Sequence, residues 1–76
     1  MKQEDFLNNF ADQFEDTDAS ELSLETEFKK LDEWSSLIAL SIIAMCDEEY
    51  EVTIKGDDIK NAQTIYDLFE VVKSRK

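Results

Sequence analysis

Residues 36 to 50 read SLIALSIIAMCDEEY, and whether this run is a strand or a helix decides the fold. Leu40, Ile43, Cys46 or Asp47, and Tyr50 follow one another at intervals of three or four, the period of a helix, whereas a half-buried strand would alternate. The run reads as a helix, and as the most apolar element of the chain. With no proline and a single glycine elsewhere, the expected class is all-α rather than a β-sandwich. The expectation is a small four-helix bundle, three main helices plus a short third one, with a long loop between the first two, all in one domain over residues 1–76.

Upstream, KQEDFLNNFADQFED carries Phe6, Leu7, Phe10, Ala11 and Phe14 down one face, which predicts a helix over residues 2–15. Residues 16–34 lose the period. Leu22, Leu24, Phe28 and Leu31 stand there as single apolar anchors, as in a loop pinned to a core. Downstream, KGDDIKN has Gly56 as a breaker and Ile59 as its one anchor, and predicts a short helical turn over 57–61. The closing segment TIYDLFEVVKSRK opens on Thr64 and Asp67 in capping-box spacing and ends on Lys73, Arg75 and Lys76, cations that suit a helix C-terminus.

Composition removes several functions. A chain of 76 residues has a thin core, and its one cysteine, with no histidine, supports neither an internal disulfide nor a set of zinc ligands. Without histidine or a Gly-rich phosphate loop, no serine has a base to activate it, so a hydrolase and any catalytic set are excluded. Nineteen acids against eight bases give a net charge of -11, a field that repels nucleic acid and anionic lipid and attracts basic proteins. MKQEDFLNNF has no signal-like apolar core, and no run is long enough for a bilayer, so a cytoplasmic monomer without membrane contact is expected.

Asp16, Asp18, Ser20 and Glu27 fall at the first, third, fifth and twelfth positions of a calcium-loop pattern, but Glu21 stands where the sharp turn needs glycine, and no metal site is expected. Cys46 has no cation beside it to lower its pKa and reads as core. Trp34 and Tyr50, at helix ends, read as lids over the core.

At EWSSL, charge gives way to the apolar helix. Ser35 can cap that helix and Ser36 then projects from its first position. Capping alone would account for the pair. The free N–H groups and the helix dipole also make this a natural seat for a phosphate carried on the Ser36 hydroxyl.

The order of a helix, a long loop, a serine opening an acidic and apolar second helix, a short third helix and a closing helix resembles the acyl carrier protein family over nearly the whole chain. In that family the serine of an Asp-Ser-Leu motif is esterified by 4'-phosphopantetheine, and Ser36-Leu37 matches it. Phe28, eight residues upstream, matches the family's loop anchor, and Tyr50 and Ile54 match its helix-two aromatic and post-helix isoleucine. Ser35 replaces the family's aspartate, and Lys55 replaces the proline often found after the isoleucine. With Ser35 as the attachment point the following leucine and the anchor spacing would both be lost.

The resemblance implies a carrier that holds acyl intermediates as thioesters on the arm, with no bond chemistry of its own, in fatty-acid or related lipid metabolism. Its implied partners are a phosphopantetheinyl transferase and acyl-transfer or condensing enzymes with basic docking patches. The family docks through helix two, where the matching positions are Leu37, Ser41, Ala44, Asp47 and Glu48. Ser41 stands where many fatty-acid carriers have an acid, and Lys29 and Lys30 precede the site, which implies a specialised carrier rather than the housekeeping one. An aminoacyl or peptidyl carrier shares the fold and the serine. From a different class, an unmodified acidic helical interaction module has the same composition.

Overall fold

The computed structural model describes residues 1–76: four α-helices, two 3-10 turns and no strand. The decisive run is the longest helix, α2, Ser36–Tyr50. It follows α1, Gln3–Ala11, and is followed by α3, Gly56–Asn61, and α4, Ile65–Arg75. α1 packs against α2 and α4, and α3 against α4. The molecule measures 28 × 23 × 20 Å, and no helix is long and apolar enough to cross a membrane.

The first helix ends earlier than its apolar stripe. Gln13 and Phe14 donate to the carbonyls of Phe10 and Ala11 at 3.2 and 3.0 Å, so the chain tightens into i to i+3 turns after Ala11. Such tightening is a common way for a helix to satisfy its last carbonyls. Phe14 stays buried, so the stripe outlasts the helix.

The long connection therefore runs over residues 12–35, longer than the 16–34 expected, and is held by 3-10 turns at Ala19–Glu21 and Phe28–Lys30. Leu22 and Phe28 are buried, while Leu24 and Leu31 pack at the edge of the core. The main chain is used as well. Tyr66 and Ile65, at the free N-terminal turn of α4, donate to Leu24 and Thr26 carbonyls at 2.8 and 3.1 Å. A loop that satisfies the orphan donors of a helix is part of the fold rather than an appendage.

Phe6, Phe10 and Phe28 are fully buried and form an aromatic spine. Phe6 meets Phe69 of α4 at 5.6 Å edge-on and Tyr50 of α2 at 5.9 Å. Phe10 meets Phe28 at 5.5 Å, and Phe28 meets Trp34 at 5.0 Å, again edge-on. Edge-on rings at these separations add about 0.5–1.5 kcal/mol per pair beyond burial. The spine runs from the closing helix to the residue before Ser35.

α3 begins at Gly56 rather than after it, so this glycine is the first residue of a helix and not a breaker. Its φ is not positive, and the Lys55 N–H ahead of it is received by Asp58 at 2.8 Å. In α4 the capping box is complete: Thr64 Oγ1 accepts from the Asp67 N–H at 3.2 Å, and Asp67 accepts from the Thr64 N–H at 3.1 Å. Arg75 ties the two helices, clasping Asp58 with two bonds of 2.7 and 2.8 Å.

Candidate functional site

The site is the start of α2. Ser35, in extended backbone, accepts the Ile38 N–H on its side chain at 3.3 Å and the Ala39 N–H on its carbonyl at 3.0 Å. This is the geometry of an N-cap, with the Ser35 hydroxyl oxygen turned back onto the helix. Ser36 is the first helical residue and is exposed, so its hydroxyl projects to solvent beside the N-terminal amides.

The face of α2 above Ser36 carries Leu37, exposed by 75%, and Ala44, Asp47 and Glu48, all exposed. Ser41 is half-buried, at the margin of this face against α1. Leu40, a member of the three-to-four repeat that marks the helix, is 62% exposed, while Ile42, Met45, Cys46 and Tyr50 make the buried side. Because α2 is apolar nearly all round, periodicity cannot choose its buried face, and only the position of α1 and the loop does. Leu37 and Leu40, one turn apart, make an apolar patch directly above the serine.

The last turn of α2 is acidic, with Asp47, Glu48 and Glu49 and no base. Carboxylates at the negative end of a helix dipole are unfavourable. The helix stops at Glu51, whose φ of 57° is left-handed, and the Glu51 and Val52 N–H groups return to Asp47 and Cys46 carbonyls at 3.0 and 3.3 Å. Tyr50 is buried, its hydroxyl receives Asn9 Nδ2 at 2.8 Å, and burial, as the leading cause, pushes its pKa up. Trp34 is half-buried over Phe28 and covers the core as expected, whereas Tyr50 is itself part of the buried core.

Lys29 and Lys30 are not a free basic pair. Lys29 Nζ donates to the Lys60 carbonyl at the end of α3 at 2.8 Å, and Lys30 pairs with Glu27 at 3.2 Å. Among the calcium-loop positions, the Asp18 N–H donates to Glu21 at 2.9 Å and the Asp16 N–H to Glu33 at 3.0 Å, and no group of three or more acidic, Cys or His side chains is placed to hold a metal ion. Burial pushes the Cys46 thiol up to about 12, which makes it inert core.

Sequence reasoning gave no role to Glu33. Its carboxylate accepts the N–H groups of Glu15 and Asp16 and the Thr17 hydroxyl, three residues before Ser36 in the chain. No local motif signals it, because its partners lie sixteen to eighteen residues away. No family model, curated protein or solved structure matches this chain.

Proposed function

We propose that this protein is an acyl carrier, a four-helix bundle in which Ser36 bears a 4'-phosphopantetheine arm. The carrying observation is the division of labour at the serine pair: both are exposed, but Ser35 Oγ is turned back to cap the helix, while Ser36 opens α2 under an apolar patch. A phosphodiester on Ser36 would lie by the first amides of α2, where the helix dipole favours negative charge. The arm's terminal thiol would hold an acyl group as a thioester, at high effective concentration near whichever enzyme docks.

Leu37 and Leu40 supply the apolar centre of a docking face, and Ala44, Asp47 and Glu48 continue it into the acidic turn. Acids kept where the helix dipole disfavours them support a cationic partner surface, with fast and salt-sensitive association. Transferase, acyl-transfer and condensing enzymes with basic patches fit this face. The absence of an acid at Ser41 and the pairing of Lys30 with Glu27 give it a pattern suited to a dedicated partner set.

The same apolar and acidic face would serve an unmodified interaction module. Co-expression with a broad-specificity phosphopantetheinyl transferase, followed by intact mass measurement, separates the two: a carrier gains one phosphopantetheinyl group, and a module stays at its encoded mass.

A further inference from the structure

Glu33 belongs to no recognisable motif, yet its carboxylate collects four hydrogen bonds from three residues. Oε2 accepts from Glu15 N–H at 3.1 Å and Asp16 N–H at 3.1 Å, while Oε1 accepts from Asp16 N–H at 3.0 Å and Thr17 Oγ1 at 2.6 Å. Successive main-chain N–H groups turned toward one point make an anion-binding concavity, and here the anion is the protein's own side chain. The Thr17 hydroxyl first, and the backbone donors after it, hold the carboxyl below its ordinary range against the opposing effect of desolvation.

The adjacent residue holds the same junction from the core side. Trp34 packs on Phe14 at 6.5 Å and on Phe28 at 5.0 Å, and Phe14 lies just after α1. The chain leaving α1 at residues 14–17 and the chain entering α2 at 33–34 are therefore joined twice, by rings inside and by one carboxylate outside. Both ties sit at the base of the long loop, directly before the Ser35 cap.

We infer that Glu33 is a positioning residue for Ser36: seated on the Glu15 and Asp16 amides and the Thr17 hydroxyl, it latches the base of the 16–34 loop and holds segment 33–36 in the conformation a modifying enzyme must meet. The inference rests on the carrier reading. Alanine removes the latch outright, whereas glutamine can keep it, its Oε1 accepting the Glu15 and Asp16 N–H groups and its NH2 donating to a rotated Thr17 hydroxyl. Once unlatched, the segment samples other conformations and only the competent fraction docks, which raises KM in proportion and leaves the step after docking unchanged.

The test combines amide exchange with kinetics of modification by a transferase and coenzyme A on the full chain. In Glu33→Ala, exchange at Glu15 and Asp16 should quicken about tenfold while the Ile42 and Leu68 amides hold their rates. KM should rise about threefold to tenfold with kcat within about twofold. Thr17→Val should act in the same direction, and the double variant should be no worse than Glu33→Ala alone, since both weaken one latch. Should Glu33→Ala lose its helical circular dichroism, Thr17→Val carries the same readings. A native KM in the folded variant overturns the inference, and so does a fall in kcat accompanied by faster exchange at Ile42 and Leu68, which marks a general structural role. If the native protein itself is not modified, the carrier reading fails instead; the latch is then judged by exchange alone, surviving if Glu15 and Asp16 quicken and falling if they do not.

Discussion

Ser35 and Ser36 are chemically alike and adjacent, and the backbone separates their roles. The hydroxyl at the cap is committed to the Ile38 N–H, and the next one is free in solvent. Cys46 is the converse case, a nucleophile by type made inert by place. With the thiol fully buried and its pKa pushed up to about 12, thiolate is negligible at neutral pH. A disulfide-exchange reagent at pH 8 should leave Cys46 unmodified in the native protein and react with it fully in denaturant. Rapid labelling of the native state would show that the α2 core opens far more readily than its packing implies. The Ser35 cap and the place of Ser36 at the first helical position were legible in the sequence, because capping is a local matter of residue type and position. Glu33 was not, since its partners come from the other end of a long loop and a single acid among nineteen carries no signal.

At the scale of elements, α2 does two things with one sequence. Its buried side carries Ile42, Met45, Cys46 and Tyr50, and its open side carries Leu37, Leu40, Ala44, Asp47 and Glu48. The range of α2 was legible to the residue, and the choice of face was not: an element apolar on nearly all sides is oriented by what packs on it, and Leu40, in the same repeat as the buried Cys46 and Tyr50, lies outside. The end of α1 was missed for a related reason, because Phe14 keeps the apolar stripe going through a turn that is no longer α-helical. Gly56 misled because glycine breaks helices more often than it opens them.

The two halves of the open face should fail differently. Asp47→Lys with Glu48→Lys should slow modification by the transferase chiefly through association, with the deficit shrinking at high salt. Leu37→Ala should weaken docking with little salt dependence and, the side chain being 75% exposed, leave the melting temperature nearly unchanged. Equal rates for native and charge-reversed protein at low ionic strength would show that docking lies elsewhere.

Over the whole molecule, a charge of -11 acts on a body only 28 Å in its longest dimension. Self-repulsion among the acids opposes the folded state, so added salt or millimolar Mg2+ should raise the melting temperature at pH 7; no change would make repulsion a minor effect. Acid has a second effect of opposite sign. Glu33, Asp58 and Asp67 have pKa values lowered in the fold, led respectively by the Thr17 hydroxyl, the Arg75 guanidinium and the Gln63 backbone N–H. A lowered folded pKa means stability that is present above the unfolded value, about 4, and is lost as pH falls through the folded one. With repulsion screened in about 1 M salt, the melting temperature should therefore drop as pH falls from about 5 to 3. A flat profile there would mean these hydrogen-bonded carboxylates contribute nothing measurable.

The all-helical class, four helices and a pinned loop were legible from periodicity, while the way the loop closes on itself and on α4 was not, because main-chain bonds such as Tyr66 N–H to the Leu24 carbonyl leave no trace in residue type. The central claim concerns one hydroxyl, and the mass of three proteins co-expressed with a phosphopantetheinyl transferase tests it most directly. The native chain and Ser35→Ala should each gain one phosphopantetheinyl group, and Ser36→Ala should gain none. Gain on Ser36→Ala with loss on Ser35→Ala would move the attachment to the cap, and no gain on the native chain would contradict the carrier function itself.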